Sequence, residues 1–398
     1  MERARNPYTP NAGAPPRYLA GRAAEVDEFR ILLQRLMRGY TEQSLVVTGL
    51  RGVGKTVLLG EYQNVAKEEG WVAAKAEVSK STPFGPQIAN LARRALFDVS
   101  PKARWTERAQ NAAAVIKSFT LTIQPEGAVT VGLDGDPAAG RADTGDLNED
   151  LADVFEAIGE ASAAHERGVV FLFDEIQFLD RRELEALIGA VHRTVQQQLP
   201  VTFAGAGLPQ LPGLAGEAKS YAERLFKFPM IGELTEDAAQ DALIEPARLE
   251  GVEIVKDAVA AIVEYTEGYP YFIQEFGRAV WNIAEGPTIT LRDATAAQAV
   301  VETELDESFF RTRIQRCSVE ERRYMRAMAE LGPEAQKASE VAEVTGRTSQ
   351  EVAPLRARLI NKGLLYTPRY GYAKFTVPQF DRFMRRFMEL DADPPIQG

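Results

Sequence analysis

The chain is 398 residues long, enough for two or three domains that each bury a core, and its 45% hydrophobic and 26% charged residues place it among globular proteins. One cysteine, Cys317, excludes an internal disulfide, and two histidines, His165 and His192, are too few to hold zinc. The net charge of −11 argues against nonspecific nucleic-acid binding by the whole, yet from Arg311 to Leu390 16 basic residues stand against 9 acidic ones, so a basic segment is joined to an acidic body. No apolar run reaches the roughly 18 residues of a membrane span, and the opening stretch lacks the apolar centre of a secretory signal. A cytoplasmic protein is expected.

Residues up to about Pro16 are rich in Pro, Asn and Ala and read as an arm or tail. A helix is expected at Ala24–Arg38, an apolar strand at Ser44–Thr48, a glycine loop, and a helix from Lys55 to about Lys67 that Gly70 ends. Trp71–Val78 reads as the next strand, followed by helices at Pro86–Phe97 and Glu107–Lys117. Alternation of apolar and polar residues over Phe119–Leu133, around Glu126-Gly127, predicts a β-hairpin, and 134–149 an exposed loop. Helix Leu151–Glu166, strand Val169–Phe173, helix Arg182–Gln197, strand Val201–Ala204 and a short strand at Phe226–Phe228 complete a set in which strands and helices alternate. That alternation predicts an α/β fold with a parallel sheet covered on both faces. Trp71, Trp105 and Trp281 read as core.

Beyond Leu234 the pattern is helical: Thr235–Leu249, Lys256–Glu267, Tyr271–Ala284 and Leu291–Leu305. The last segment reads as helices Glu320–Leu331, Ala338–Val344 and Pro354–Asn361, then two strand-like runs around Arg369-Tyr370-Gly371. Three helices and a hairpin in that order predict a winged helix-turn-helix. The expected domains are an arm (1–17), a sheet domain (18–234, with an insertion at 118–149), a helical lid (235–307), the winged helix (308–390) and a tail (391–398).

Gly49-Leu50-Arg51-Gly52-Val53-Gly54-Lys55-Thr56 is a full G-x-x-x-x-G-K-T match between an apolar strand and a helix. Glycines let the backbone curl until its N–H groups surround a phosphate, and the helix beginning at Lys55 adds the positive end of its dipole. Gly49, Gly52, Val53, Gly54, Lys55, Thr56 and Val57 are therefore expected to hold ATP, with Lys55 on the outer phosphates and the Thr56 hydroxyl on Mg²⁺.

The apolar run Val169–Phe173 ends in Asp174-Glu175. A strand buried on both faces releases charge at its end, so Asp174 is expected beside the metal and Glu175 as the base that activates water.

With these two motifs the chain resembles the AAA+/STAND P-loop ATPases, in the archaeal-ATPase and origin-initiator-like branch. Tyr18-Leu19-Ala20-Gly21-Arg22 with Glu25 is similar to the family's box before the P-loop, which implies that Tyr18, Leu19, Gly21 and Arg22 contact adenine. Gly268-Tyr269-Pro270 resembles its lid motif and implies Pro270 at the nucleotide. Arg224 lies just before the last strand, where such proteins place an arginine finger, although an ion pair such as one with Glu223 explains it equally. The strand end Thr202–Gly207 lacks the expected polar sensor; Gln177 is a substitute, and slow hydrolysis is implied. The resemblance implies a P-loop NTPase sheet, a helical lid and a winged helix, using ATP and Mg²⁺.

In the basic module, Arg356, Arg358 and Lys362 recur along one helix with Leu355, Leu359 and Ile360 facing inward, and Gly363 closes it. Pro354 is expected in the first turn. Arg369, Tyr370, Tyr372 and Lys374 form the hairpin tip. An outward cationic helix with a basic wing suits DNA, and Arg356, Arg358, Lys362, Arg369 and Lys374 are its candidate contacts. Such modules also pack on protein partners, so two readings stand: a nucleotide switch on DNA, or an ATP-dependent oligomerising signalling scaffold.

Overall fold

The computed structural model describes residues 1–389 apart from 125, 127–129, 131 and 134. They form two compact units, one of residues 22–49 and 55–231, the other of residues 1–21, 50–54 and 232–389. None of the described helices is long and apolar enough to cross a membrane.

Five parallel strands carry the first unit: β1 (Ser44–Thr48), β2 (Val72–Glu77), β3 (Val169–Asp174), β4 (Val201–Gly207) and β5 (Phe226–Lys227), in the order β2-β3-β4-β1-β5. The continuous apolar runs of β1 and β3 are explained by burial of every residue in both. Along β3 alternate residues serve opposite faces. Val169, Phe171 and Phe173 join a core with the helices Phe84–Val99, Glu107–Ile123 and Leu147–Ala164, whereas Val170 and Leu172 are just as buried on the other side. Phe155 stacks on Phe171 with ring centres 4.8 Å apart, and Phe84 meets Phe173 edge-on at 5.6 Å. Trp71 and Trp281 are buried as expected, and Trp105 packs at the edge of the core.

The expected hairpin over Phe119–Leu133 is not formed in its first half. Helix Glu107–Ile123 runs through it, because Ala112, Ile116, Phe119 and Ile123 also fall at helical spacing on the face that meets the core. The turn expected at Glu126-Gly127 lies partly outside the described residues, and the expected tail (391–398) wholly outside them. Asp146 and Asp180 cap the helices Leu147–Ala164 and Arg181–Gln196, the second with a reciprocal bond from Glu183.

The second unit holds the helices Glu236–Leu249, Lys256–Thr266, Pro270–Ile283 and Leu291–Glu304, with β6 (Glu253–Ile254) beside β7 (Thr288–Ile289). The N-terminal arm is tied to these helices: Tyr8 is buried with its hydroxyl on the Leu243 carbonyl, and Gly277 leaves the room its ring needs. Further on come helix Val319–Glu330, β8 (Gln336–Lys337), helices Ala338–Val344 and Ser349–Asn361, then β9 (Leu365–Tyr366) and β10 (Tyr372–Phe375) in an antiparallel sheet ordered β8-β10-β9. Thr348 and Glu351 form a capping box that starts the third helix early, so Pro354 sits inside it rather than in its first turn. Gly363 closes that helix with φ +69°. Cys317 is buried, and burial pushes its thiol up to about 11.

Candidate nucleotide site

In the sheet unit, β1 ends at Thr48 and the chain resumes at Lys55 as the first residue of helix Lys55–Glu68. The Gly49 N–H donates to the Gly207 carbonyl at the end of β4 (3.1 Å). Lys55 is buried, and its ammonium donates to the Gly49 carbonyl at 3.0 Å, which folds the side chain back over the start of the loop. The Thr56 hydroxyl donates to Oδ2 of Asp174 at 2.6 Å; Asp174 is buried as the last residue of β3. Val57 is half-buried on the same helix. Lys75, inside β2, reaches the Thr56 carbonyl at 3.4 Å, a second cation that sequence reading passed over. Its signal was a lone lysine within an otherwise apolar strand.

The hydroxyl of Thr56 and the carboxylate of Asp174 are hard oxygen donors brought to one point. No group of three or more His, Cys, Asp and Glu placed to hold a metal occurs among the described residues. A donor set this small suits Mg²⁺, which keeps several waters and takes phosphate oxygens, rather than a cation that needs a full protein cage.

Glu175 follows with φ 56° and ψ 35°, a left-handed conformation uncommon for a residue with a side chain. Its N–H donates to Oδ1 of Asp174 at 2.9 Å, so the two acids are locked by a backbone bond. Gln177, in the 3₁₀ turn Ile176–Phe178, donates from Nε2 to the Glu175 carboxylate, and its Oε1 accepts from the Leu208 N–H at 3.1 Å. The β4 end itself, Ala204–Gly207, carries no polar side chain.

In the other unit, the loop apex Leu50–Gly54 contains Gly52 at φ +86° and Gly54 at φ +95°, conformations that glycine allows. The Gly52 carbonyl accepts from the Tyr271 N–H (3.2 Å), and a Cβ at Gly52 would stand 3.0 Å from the Tyr269 ring. Pro270 is the first residue of its helix, where the missing N–H costs nothing. Tyr269 and Phe272 are buried against each other, and the half-buried Tyr271 packs on Phe272 and Phe309 in this unit. The Arg51 N–H donates to the Thr376 carbonyl at 3.3 Å. Arg313, counted above only as added charge, lies with its guanidinium 3.7 Å over the Phe309 ring; burial, then the charge of Arg51, lowers its pKa to about 10. Val53 is buried, Tyr18 is exposed and Leu19 half-buried, and Gly21 at φ +62° packs against Ala238. Arg22, in the sheet unit, is buried just before helix Ala23–Met37.

Arg224 is exposed in the short helix Ala222–Leu225, and its side chain forms no ion pair among the described residues. His165 stands at the C-terminal end of helix Leu147–Ala164, and His192 lies in helix Arg181–Gln196 against Tyr221.

The helix expected to present a free cationic face does not do so. Arg356 turns to the sheet, donating to the Tyr372 carbonyl (2.8 Å) and the Thr367 hydroxyl (3.2 Å). Arg358 (3.2 Å) and Lys362 (2.6 Å) both pair with Glu321, whose side chain is 1% exposed. A carboxylate so buried requires countercharge, and the helix supplies it. Lys374 pairs with Glu334 at 3.0 Å. At the hairpin tip Arg369 lies 3.8 Å over the Tyr372 ring, and Tyr370 is fully exposed.

Residues 307–384 match a domain of unknown function (DUF8462), and no curated protein matches. Among solved structures the chain is similar to Orc1 of Aeropyrum pernix in complex with DNA, at 16% identity over 93% of this chain and 94% of that one, TM-score 0.44. It is similar to Cdc6p of Pyrobaculum aerophilum at 13% identity over 97% of each chain, TM-score 0.47. The RuvB Holliday junction branch migration motor of Thermotoga maritima is similar at 16% identity over 89% and 92%, TM-score 0.43. Residues 18–203, which hold the glycine loop and the acidic end of β3, match the AAA ATPase domain, so this part of the chain is an AAA-type P-loop domain.

Proposed function

We propose that the protein binds ATP with Mg²⁺ and hydrolyses it slowly, and that the bound nucleotide sets the state of the C-terminal module. The contact between Thr56 and Asp174 carries this reading, because it joins the two oxygens that a P-loop site needs at the metal. The backbone amides of Gly49–Gly54 and the Lys55 ammonium take the phosphates; Thr56 and Asp174 hold Mg²⁺, which when bound neutralises phosphate charge. Glu175 removes a proton from water as the water oxygen bonds to the γ-phosphorus. The bond from that phosphorus to the bridging oxygen breaks, and its electron pair leaves with ADP. Tyr18, Leu19, Gly21, Arg22 and Pro270 are the proposed contacts to the rest of the nucleotide. The apolar end of β4 is the reason to expect a slow rate.

Arg224, exposed and without a carboxylate partner among the described residues, is proposed as a finger for the ATP of a neighbouring copy. The order helix, strand, two helices, two strands in residues 319–375 supports reading this module as a winged helix, with Arg369 and Tyr370 as the wing that would reach DNA. The internal pairing of Arg356, Arg358 and Lys362 favours a second reading, in which the module meets protein within an ATP-assembled oligomer.

Phosphate release tests the hydrolytic reading. Wild type turns over, while Glu175→Gln binds ATP and loses about 10²-fold or more in kcat. Equal rates would remove the base assignment. Mass photometry with and without ATP and duplex DNA separates the two readings of the C-terminal module.

A further inference from the structure

We infer that Gln177 is the positioning residue of the hydrolytic base, tying the carboxylate of Glu175 through one peptide group to the first glycine of the phosphate loop. The inference rests on the hydrolytic reading above. The Leu208 N–H can only donate, so the oxygen of the Gln177 amide must face it and the NH₂ must face Glu175. The amide therefore has one orientation. Leu208 N–H and Gly207 C=O belong to the same peptide group, and that carbonyl accepts from Gly49 N–H. Hydrogen bonds thus run from the loop through the end of β4 to Gln177 and the base, each polarising the next.

Gly207 makes the arrangement sterically possible. A Cβ there would lie 2.4 Å from Gln177 Oε1 and 2.5 Å from Leu211 Cδ1. The strand that lacks a polar side chain is thereby met by an amide from the neighbouring turn. Because Glu175 leaves β3 in a left-handed conformation, its carboxylate needs a partner to hold one direction, and Gln177 is that partner.

The test uses the full chain with Gln177→Ala and Gln177→Glu, measuring kcat at neutral pH together with titrations of a fluorescent ATP analogue. Alanine is expected to lower kcat about tenfold or more while nucleotide affinity stays within about twofold. Gln177→Glu, where a like charge replaces the donor facing Glu175, is expected to lose at least as much kcat at the same unchanged affinity. Gln177→Glu keeps an acceptor for Leu208 N–H, so it carries the test if the alanine variant fails to fold. A kcat that holds in both variants overturns the inference, and so does a loss of nucleotide affinity that matches the loss of kcat. A wild type that binds ATP without turnover removes the hydrolytic reading, and the inference with it.

Discussion

The Thr56 hydroxyl donates to Oδ2 of Asp174 at 2.6 Å across 118 positions of sequence. β1 and β3 are not neighbours; β4 lies between them, and the parallel register Val169↔Val201 and Leu45↔Ala204 brings their ends level. The meeting of hydroxyl and carboxylate is thus a product of sheet order rather than of local chain. Asp174→Ala is expected to weaken ATP binding about tenfold or more when Mg²⁺ is present and to leave binding in EDTA nearly unchanged. Titration under both conditions checks it; equal losses would dissociate Asp174 from the metal.

Lys55→Ala should abolish measurable binding at nucleotide concentrations that saturate wild type. The residue is a buried cation, and charge-assisted bonds to phosphate are each worth roughly 1.5–3 kcal/mol. Circular dichroism distinguishes loss of the ligand contact from loss of the fold.

Arg224→Ala should bind ATP normally and hydrolyse it about 10³-fold more slowly if the residue acts on a neighbour's nucleotide. Mixing it with Lys55→Ala then restores part of the rate, because each defective copy supplies what the other lacks. Two inactive proteins whose mixture stays inactive would exclude action between copies.

Arg356→Ala and Arg369→Ala should differ in kind. The first removes bonds to the Tyr372 carbonyl and the Thr367 hydroxyl and is expected to lower stability by about 1–3 kcal/mol in denaturant titrations. The second should leave stability alone, and if the hairpin tip touches a DNA phosphate it reduces the salt slope of binding by about 0.9. Salt slopes that respond to Arg356 and ignore Arg369 would return the contact to the helix.

Glu321 gives a pH dependence. Burial alone would push its carboxyl up, but bonds from Lys362, the Ser318 backbone and Arg358 outweigh burial and hold it below the ordinary value of 4.5. Its folded pKa is below its unfolded one, so its stabilisation is complete above the ordinary carboxylate range and is lost as pH falls through the folded value. Glu321→Gln should lower stability at neutral pH and flatten the loss in acid, as seen by thermal melts across that range.

The parallel sheet, the glycine loop and the acidic strand end were legible because each depends on local pattern: apolar runs, a fixed motif and a strand that stops in charge. Gln177 was only a substitute in name, since its bonds to Glu175 and Leu208 require knowing that β3 and β4 lie side by side. The same holds for Lys75, whose meaning appears once β2 is placed next to β3. Helix Glu107–Ile123 was misread past Lys117 because Phe119 to Ile123 satisfies a period of two and a period of 3.6 alike. Arg358 does stand outward, but periodicity marks only the apolar face and reveals neither its pairing with Glu321 on a neighbouring helix nor the bonds that turn Arg356 to the sheet.

Cys317 has a practical consequence. A thiol that titrates near 11 inside the protein stays protonated at neutral pH, where maleimides and dyes react with thiolates. The natural chain is therefore expected to label slowly while folded. A cysteine placed at Tyr370, fully open to solvent, would be modified alone, and a fluorophore there could follow the hairpin tip through nucleotide addition without first stripping the chain of its own sulfhydryl.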